Sequence, residues 1–198
     1  MTNRVVYQFK IILEDINPTI WRRIQVPRSY TFWDLHVAIQ DSMGWLDYHL
    51  HAFRFGKRKS NISWEIGIPD DEGIGTVDTL PGWEVSIVDH FHEPGSSCIY
   101  EYDFGDGWTH EVLLEGILLS EKGRRYPLCI GGERACPPED CGGSPGYYRL
   151  LQVLSDHNDE EYEDMVEWVG KKFSPEKFVP NKVKFDNPGK RWDMAFSN

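Results

Sequence analysis

His49 and His51 stand two residues apart in Tyr48 to Phe55, a stretch whose composition predicts a β-strand. Strand alternation puts both imidazoles on one face about 7 Å apart, a spacing that can supply two ligands to a metal ion. His90-Phe91-His92 repeats the pattern. Further donors lie in Gly123 to Gly143, where Cys129, Cys136 and Cys141 accompany Glu139 and Asp140. Three thiolates with one histidine would satisfy a tetrahedral structural zinc. Only the gap between Cys136 and Cys141 matches the usual knuckle spacing, and there is no second knuckle. Buried free thiols pinning an irregular loop are the alternative reading.

The densest polar and aromatic stretch is Tyr102-Asp103-Phe104-Gly105-Asp106-Gly107-Trp108-Thr109-His110. It gathers two carboxylates and an imidazole about one hairpin tip, where acid–base chemistry or metal coordination can be built. Asp and Gly are also what a tight turn needs for backbone reasons alone. Its Asp-Phe-Gly comes without the glycine-rich loop or catalytic loop of a kinase. The sequence has no phosphate loop, dinucleotide fingerprint, Gly-x-Ser-x-Gly elbow or His-Glu-x-x-His helix. Cys98 has no nucleophile signature around it.

The elements that must position these residues read as follows. Val5 to Leu13 and Thr19 to Val26 predict a hairpin about Asn17-Pro18. Thr31 caps a helix, with Asp34 completing a capping box; Phe32, Leu35, Ile39 and Met43 form its apolar stripe and Gly44 ends it. Strands are expected at Tyr48 to Phe55, Ile62 to Ile66 and Trp83 to Val88, with an acidic loop at Pro69 to Thr76. Cys98 to Phe104 and Trp108 to Leu119 flank the turn Gly105-Asp106-Gly107. Gly123 to Gly143 reads as one long irregular segment. Ser144-Pro145 opens a helix with Tyr147, Leu150, Leu151 and Leu154 on one face; a second runs from about Asp159 to Gly170. The expected fold is α+β: a twisted, mostly antiparallel sheet covered by an N-terminal helix and a C-terminal helix pair. Residues 1–198 form one domain, with 171–198 as a basic tail.

Composition narrows the function. Eight Trp, nine Tyr and ten Phe in 198 residues exclude disorder. Thirty-two acidic against 21 basic residues give a net charge of -11, which opposes general nucleic-acid binding. No apolar run is long enough to span a bilayer. The start, MTNRVVYQFK, has no apolar signal core, which predicts a cytoplasmic chain with reduced thiols and makes the sequon Asn61-Ile62-Ser63 irrelevant. An acidic run between Asp156 and Glu167 reads as a solvated helix face.

Several segments, in order, carry a resemblance. Ile20-Trp21-Arg22-Arg23 with Val26-Pro27 is followed by Leu35-His36, Met43-Gly44-Trp45 and His49-Leu50-His51. Tyr102 to His110, Tyr126-Pro127-Leu128-Cys129, Ala135 to Gly143 and Gly146-Tyr147 complete the set. Together they resemble the plasmid pRiA4b ORF-3-like family over nearly the whole chain. The resemblance implies a fold more than an activity, because the family has no established biochemistry. Some relatives carry a transposon-resolvase label. A serine recombinase needs a serine among arginines near its N-terminus, and Arg22-Arg23 has none beside it. The tyrosine-recombinase domain is mainly helical, whereas His51 and Arg54 lie in a strand pattern.

Three functions follow from the residues. The first is a non-catalytic binding or adaptor protein for a protein or small ligand, using a loop face of His49, His51, Asp103, Asp106, Trp108, His110 and the cysteine loop with Glu139 and Asp140. The second is a metal-dependent hydrolase at the same face, with a histidine pair and an Asp as ligands and Glu139 or Asp140 as base. The third is a nucleic-acid regulator using Arg22, Arg23, Arg28 and the Arg54 to Lys59 cluster.

Overall fold

The structure is a computed structural model and describes residues 5–56, 64–69 and 78–196. Strands β1 (Val5–Leu13) and β2 (Ile20–Pro27) pair antiparallel across the turn at Asn17-Pro18. β1 also pairs with β7 (Trp108–Leu119), which follows β6 (Ser97–Tyr102) through the glycine turn. β3 (His51–Arg54), β4 (Trp64–Gly67) and β5 (Asp78–Pro81) extend one side, and β8 (Leu128–Glu133) the other. The sheet order is β5-β4-β3-β6-β7-β1-β2-β8, antiparallel throughout except for β4 with β5.

Alternation along the strands decides which face is buried. Tyr7, Phe9, Ile11 and Leu13 of β1 point into the core, as do Ile20, Ile24 and Val26 of β2 and Val112 and Leu114 of β7. The opposite face is polar. There Arg23 donates to Glu115 at 2.6 and 2.8 Å, Gln8 to Glu115 at 3.0 Å, and Gln25 to Gln8 at 2.9 Å. One apolar and one wet face is what an antiparallel sheet tolerates.

Helix α1 (Phe32–Met43) covers the buried face with Phe32, Leu35, Ile39 and Met43. Both halves of the Thr31–Asp34 capping box form, and Gly44 closes the helix at φ 95°, a backbone angle glycine adopts without strain. Helix α2 (Gly143–Ser155) adds Tyr147, Leu150 and Val153 to the core. Helix α3 (Tyr162–Val169) packs on α2, and α4 (Pro188–Phe196) packs on α1. The α+β architecture is therefore the expected one, with α4 in addition.

Several boundaries differ from expectation. Strand β3 begins only at His51, so His49 lies in the preceding loop. Trp83 to Val88 is not a strand: the backbone of Val85 bonds the N-terminus of α1, and Ile87–Asp89 forms a 3-10 turn. β8 lies inside the segment read as irregular. Its Gly132 masked the strand, yet a Cβ there would stand 2.4 Å from the Phe178 ring, so close packing demands glycine. Residues 171–196 are no free tail. Phe173, Phe178, Val183 and Phe185 pack against the core, and the Trp33 indole donates to the Pro188 carbonyl at 3.0 Å. The acidic loop beyond Pro69, the sequon and Lys57 to Lys59 lie outside the described residues.

Candidate functional site

At one end of the sheet three irregular segments meet: the loop between α1 and β3, the β6–β7 tip, and the cysteine-bearing segment after β8. The Trp45 indole donates to the Pro137 carbonyl at 3.0 Å, and Leu46 N–H to Glu139 at 2.8 Å. Glu139 also accepts from the Tyr102 hydroxyl, which itself accepts from Tyr48 N–H at 3.1 Å. Asp103 N–H bonds the Leu50 carbonyl, and Gly142 N–H bonds the Asp106 carboxylate at 3.1 Å. These bonds fix three loops that have no sheet ladder of their own.

At their junction His49 Nε2 lies 2.9 Å from Asp140 Oδ1 and 3.6 Å from Asp103 Oδ2. All three ligand atoms fall within 4.8 Å of one another, and among the described residues no other group of three His, Cys, Asp or Glu gathers this closely. Ligands on a zinc-like ion with bonds of about 2.1 Å sit about 3.0–3.4 Å apart, so these atoms would have to adjust to close about a small divalent cation. Asp103 is nearly enclosed, and its Oδ1 accepts from Gly105 N–H at 3.0 Å and Asp106 N–H at 3.3 Å. That leaves Oδ2 toward His49. Asp103 and Asp140 both hold positive φ, 55° and 57°, which aspartate tolerates better than most residues.

A family model for plasmid pRiA4b ORF-3-like proteins matches residues 5–182, which include the whole cluster. The chain belongs to the plasmid pRiA4b ORF-3-like family. A relative from Sinorhizobium fredii, the uncharacterized protein y4hQ, is 33% identical over 167 residues, 83% of this chain and 81% of its own. A crystal structure of a protein of unknown function from Methanosarcina mazei Go1 superposes with a TM-score of 0.81 at 44% identity. That match covers 93% of this chain and 100% of the other. No helix among the described residues is long and apolar enough to cross a membrane.

Of the residues singled out in this family member's sequence, His49, Asp103, Asp106, Glu139 and Asp140 meet at the loop face. His51, Trp108 and His110 do not: all three are buried in the core. The His49–His51 pairing on one strand face therefore fails, because the strand starts one residue after Leu50 and sends His51 inward. His51 stacks on His36 with centroids 3.5 Å apart. His90 stacks on Phe55 beside the 3-10 turn, not on a strand. The three loop cysteines do not collect about a histidine. Cys129 Sγ donates to the Gly131 carbonyl at 3.5 Å, and Cys141 to Gly143 at 3.9 Å. Burial raises all three thiols, Cys141 to about 12. The basic patch also disperses. Arg22 is buried, Arg23 pairs with Glu115, and Arg54 pairs with Glu65 and Glu101.

Burial of His51 and His110 makes stability depend on pH. Unfolded, each titrates near 6.5; burial lowers both in the fold, His110 to about 3. Below pH 6.5 the unfolded chain then binds more protons, so the stability present above that pH declines on acidification. Each ring contributes a slope of about 1.4 kcal/mol per pH unit. Urea midpoints between about pH 7.5 and 5.5 are expected to fall with acidity. A flat or rising profile would show that the rings are not held neutral.

One network escaped sequence reading. Gln40 donates to the Tyr100 hydroxyl at 2.8 Å, and Tyr100 and Asp47 lie 2.8 Å from the two nitrogens of His36. With the proton on Nε2, His36 donates to Asp47 and accepts from the Tyr100 hydroxyl, while Gln40 Oε1 stays without a partner among the described residues. Arg191 of α4 then joins Asp41 at 2.7 Å and Asp47 at 3.5 Å. The available signal was His36 and Gln40 four apart on the buried side of α1, since buried polar groups need partners.

Proposed function

We propose that this chain is a non-catalytic binding protein whose recognition surface is the loop face around His49, Asp103 and Asp140. The observation that carries the reading is the set of large exposed apolar side chains on the same loops. Leu46, Tyr48 and Leu50 flank His49, and Phe104 follows Asp103; Tyr48 is 71% exposed. Aromatic and aliphatic anchors beside a few charged groups are the make-up of an interface core. Asp103, Asp106, Glu139 and Asp140 give the face an acidic character, so charge complementarity favours a polypeptide segment with lysine or arginine set among apolar residues. Fluorescence anisotropy with labelled peptides of that composition tests this. Saturable binding that weakens at least about tenfold in the Tyr48→Ala, Leu50→Ala double variant is expected. No saturation, or binding indifferent to both substitutions, would overturn the reading.

The gathered ligand atoms favour a second reading, a metal-dependent hydrolase. His49, Asp103 and Asp140 would hold the ion, which leaves Glu139 as the base. Both Glu139 oxygens already accept hydrogen bonds, from Leu46 and Tyr102, which leaves Glu139 poorly placed to serve as that base. Calorimetry with zinc separates the two. About one ion per chain, lost in His49→Ala, would promote the hydrolase; no uptake would remove it.

A further inference from the structure

A concavity lies at the end of the sheet opposite the loop face. The loop face stands where β1 ends and β7 begins; this one stands where β1 begins, β2 ends and β7 ends. Its volume is about 870 Å³, within the usual range for a small-molecule pocket. Arg28, Arg124 and Arg125 line it together with Ser29, Ser86 and Ser120, with no carboxylate among the described lining residues. Some 96 residues separate the first arginine from the other two, so the fold alone brings them together.

Three cations in one concavity repel one another, and a chain of net charge -11 has ample acid to spare them. Arg124 has a partner, Glu121, at 2.6 Å. Arg28 and Arg125 have no side-chain hydrogen bond or ion pair among the described residues. The walls are nevertheless fixed. Arg28 N–H bonds the Val5 carbonyl at 3.1 Å, Ser86 bridges Thr31, and the Tyr126 hydroxyl accepts from Glu121 N–H at 3.1 Å. Guanidinium forks and hydroxyls offer more donors than one carboxylate can use, and they suit the many oxygens of a phosphate chain. Val6, Pro27 and Val88 supply apolar wall for the rest of the ligand.

We propose that this concavity binds a phosphorylated small molecule, its phosphates on Arg28, Arg124 and Arg125 and its apolar or aromatic body against the valine and proline wall. The proposal is independent of the loop face. Isothermal titration with ADP, with adenosine as the uncharged comparison, tests it. Saturable ADP binding is expected, weakened by added salt and at least about tenfold in the Arg28→Ala, Arg125→Ala double variant. Arg149→Ala removes an exposed arginine of α2 that lies outside the concavity, and should leave binding unchanged. Both arginines are exposed, so the double variant should keep the parent melting curve, and that curve is recorded alongside. Absence of saturation at millimolar ADP would overturn the proposal. So would adenosine binding as tightly as ADP, or equal loss of binding in Arg149→Ala.

Discussion

Arg22→Ala is expected to lower folding stability by about 3–5 kcal/mol, the largest effect of any single substitution considered for this chain. Arg22 is 1% exposed and has no carboxylate on it. Its Nε donates to the Ser42 carbonyl at 2.8 Å, and one Nη to the Trp21 and Glu133 carbonyls at 2.8 and 2.9 Å. The guanidinium lies 3.6 Å from the centre of the Phe178 ring. One side chain on β2 thus joins the last turn of α1, the end of β8 and the C-terminal segment. Helix α1 has no basic residue in its own last turn, so Arg22 supplies the cation its carbonyl end favours. Burial pulls the guanidinium below the usual arginine range, while the Cys136 and Cys129 thiols act the other way. Truncation leaves orphaned carbonyls and a cavity under Phe178. Arg22→Met refills much of the volume but satisfies none of the carbonyls, so it should recover only part of the loss. Urea denaturation of the three proteins reads this directly. A loss below about 1 kcal/mol in the alanine variant would mean that water or a neighbour takes over the carbonyls.

Asp103 gives the second large effect, and two substitutions divide its duties. Asp103→Ala removes the acceptor for Gly105 and Asp106 N–H and places alanine at φ 55°. A loss of about 2–4 kcal/mol is expected from the orphaned donors and the strained backbone. Asp103→Asn keeps an acceptor oxygen and tolerates the left-handed backbone, so its stability should stay within about 1 kcal/mol of the parent. What it removes is the charge toward His49. Peptide binding at the loop face should therefore fall about tenfold in Asp103→Asn while the urea midpoint holds. An asparagine variant as unstable as the alanine one would make the carboxylate purely structural. One that binds like the parent would take the charge out of recognition.

What was legible in the sequence was local. Thr31, Asp34 and Gly44 delimit α1 through bonds made within a few residues, and the Gly105-Asp106-Gly107 turn sets β6 against β7 in the same way. β5 and β8 were not legible, because Pro81 and Gly131-Gly132 read as breakers until a neighbouring strand supplies the ladder. Trp83 to Val88 has strand-like composition, but its backbone bonds are taken by the start of α1. In the site, each of His49, Asp103 and Asp140 was a candidate by type, but their meeting depends on where β3 begins. A shift of three residues in that boundary, from Tyr48 to His51, puts His49 at the loop face. The cysteines attracted a metal reading by type, whereas the Cys129 and Cys141 sulfurs meet backbone carbonyls. The Arg191–Asp47 contact spans 144 residues, and no periodicity encodes a pair that distant.

A partner is expected to dock on the loop face, and not on the sheet or the buried polar network. Amide chemical-shift mapping of the isotope-labelled 198-residue chain during titration with a basic, apolar peptide tests it most directly. The largest shifts are expected at Leu46 to Leu50, Asp103 to Asp106 and Glu139 to Gly142, with Arg23, Gln25 and Glu115 on the polar sheet face unmoved. Shifts concentrated on that sheet face, with the three loops silent, would contradict it.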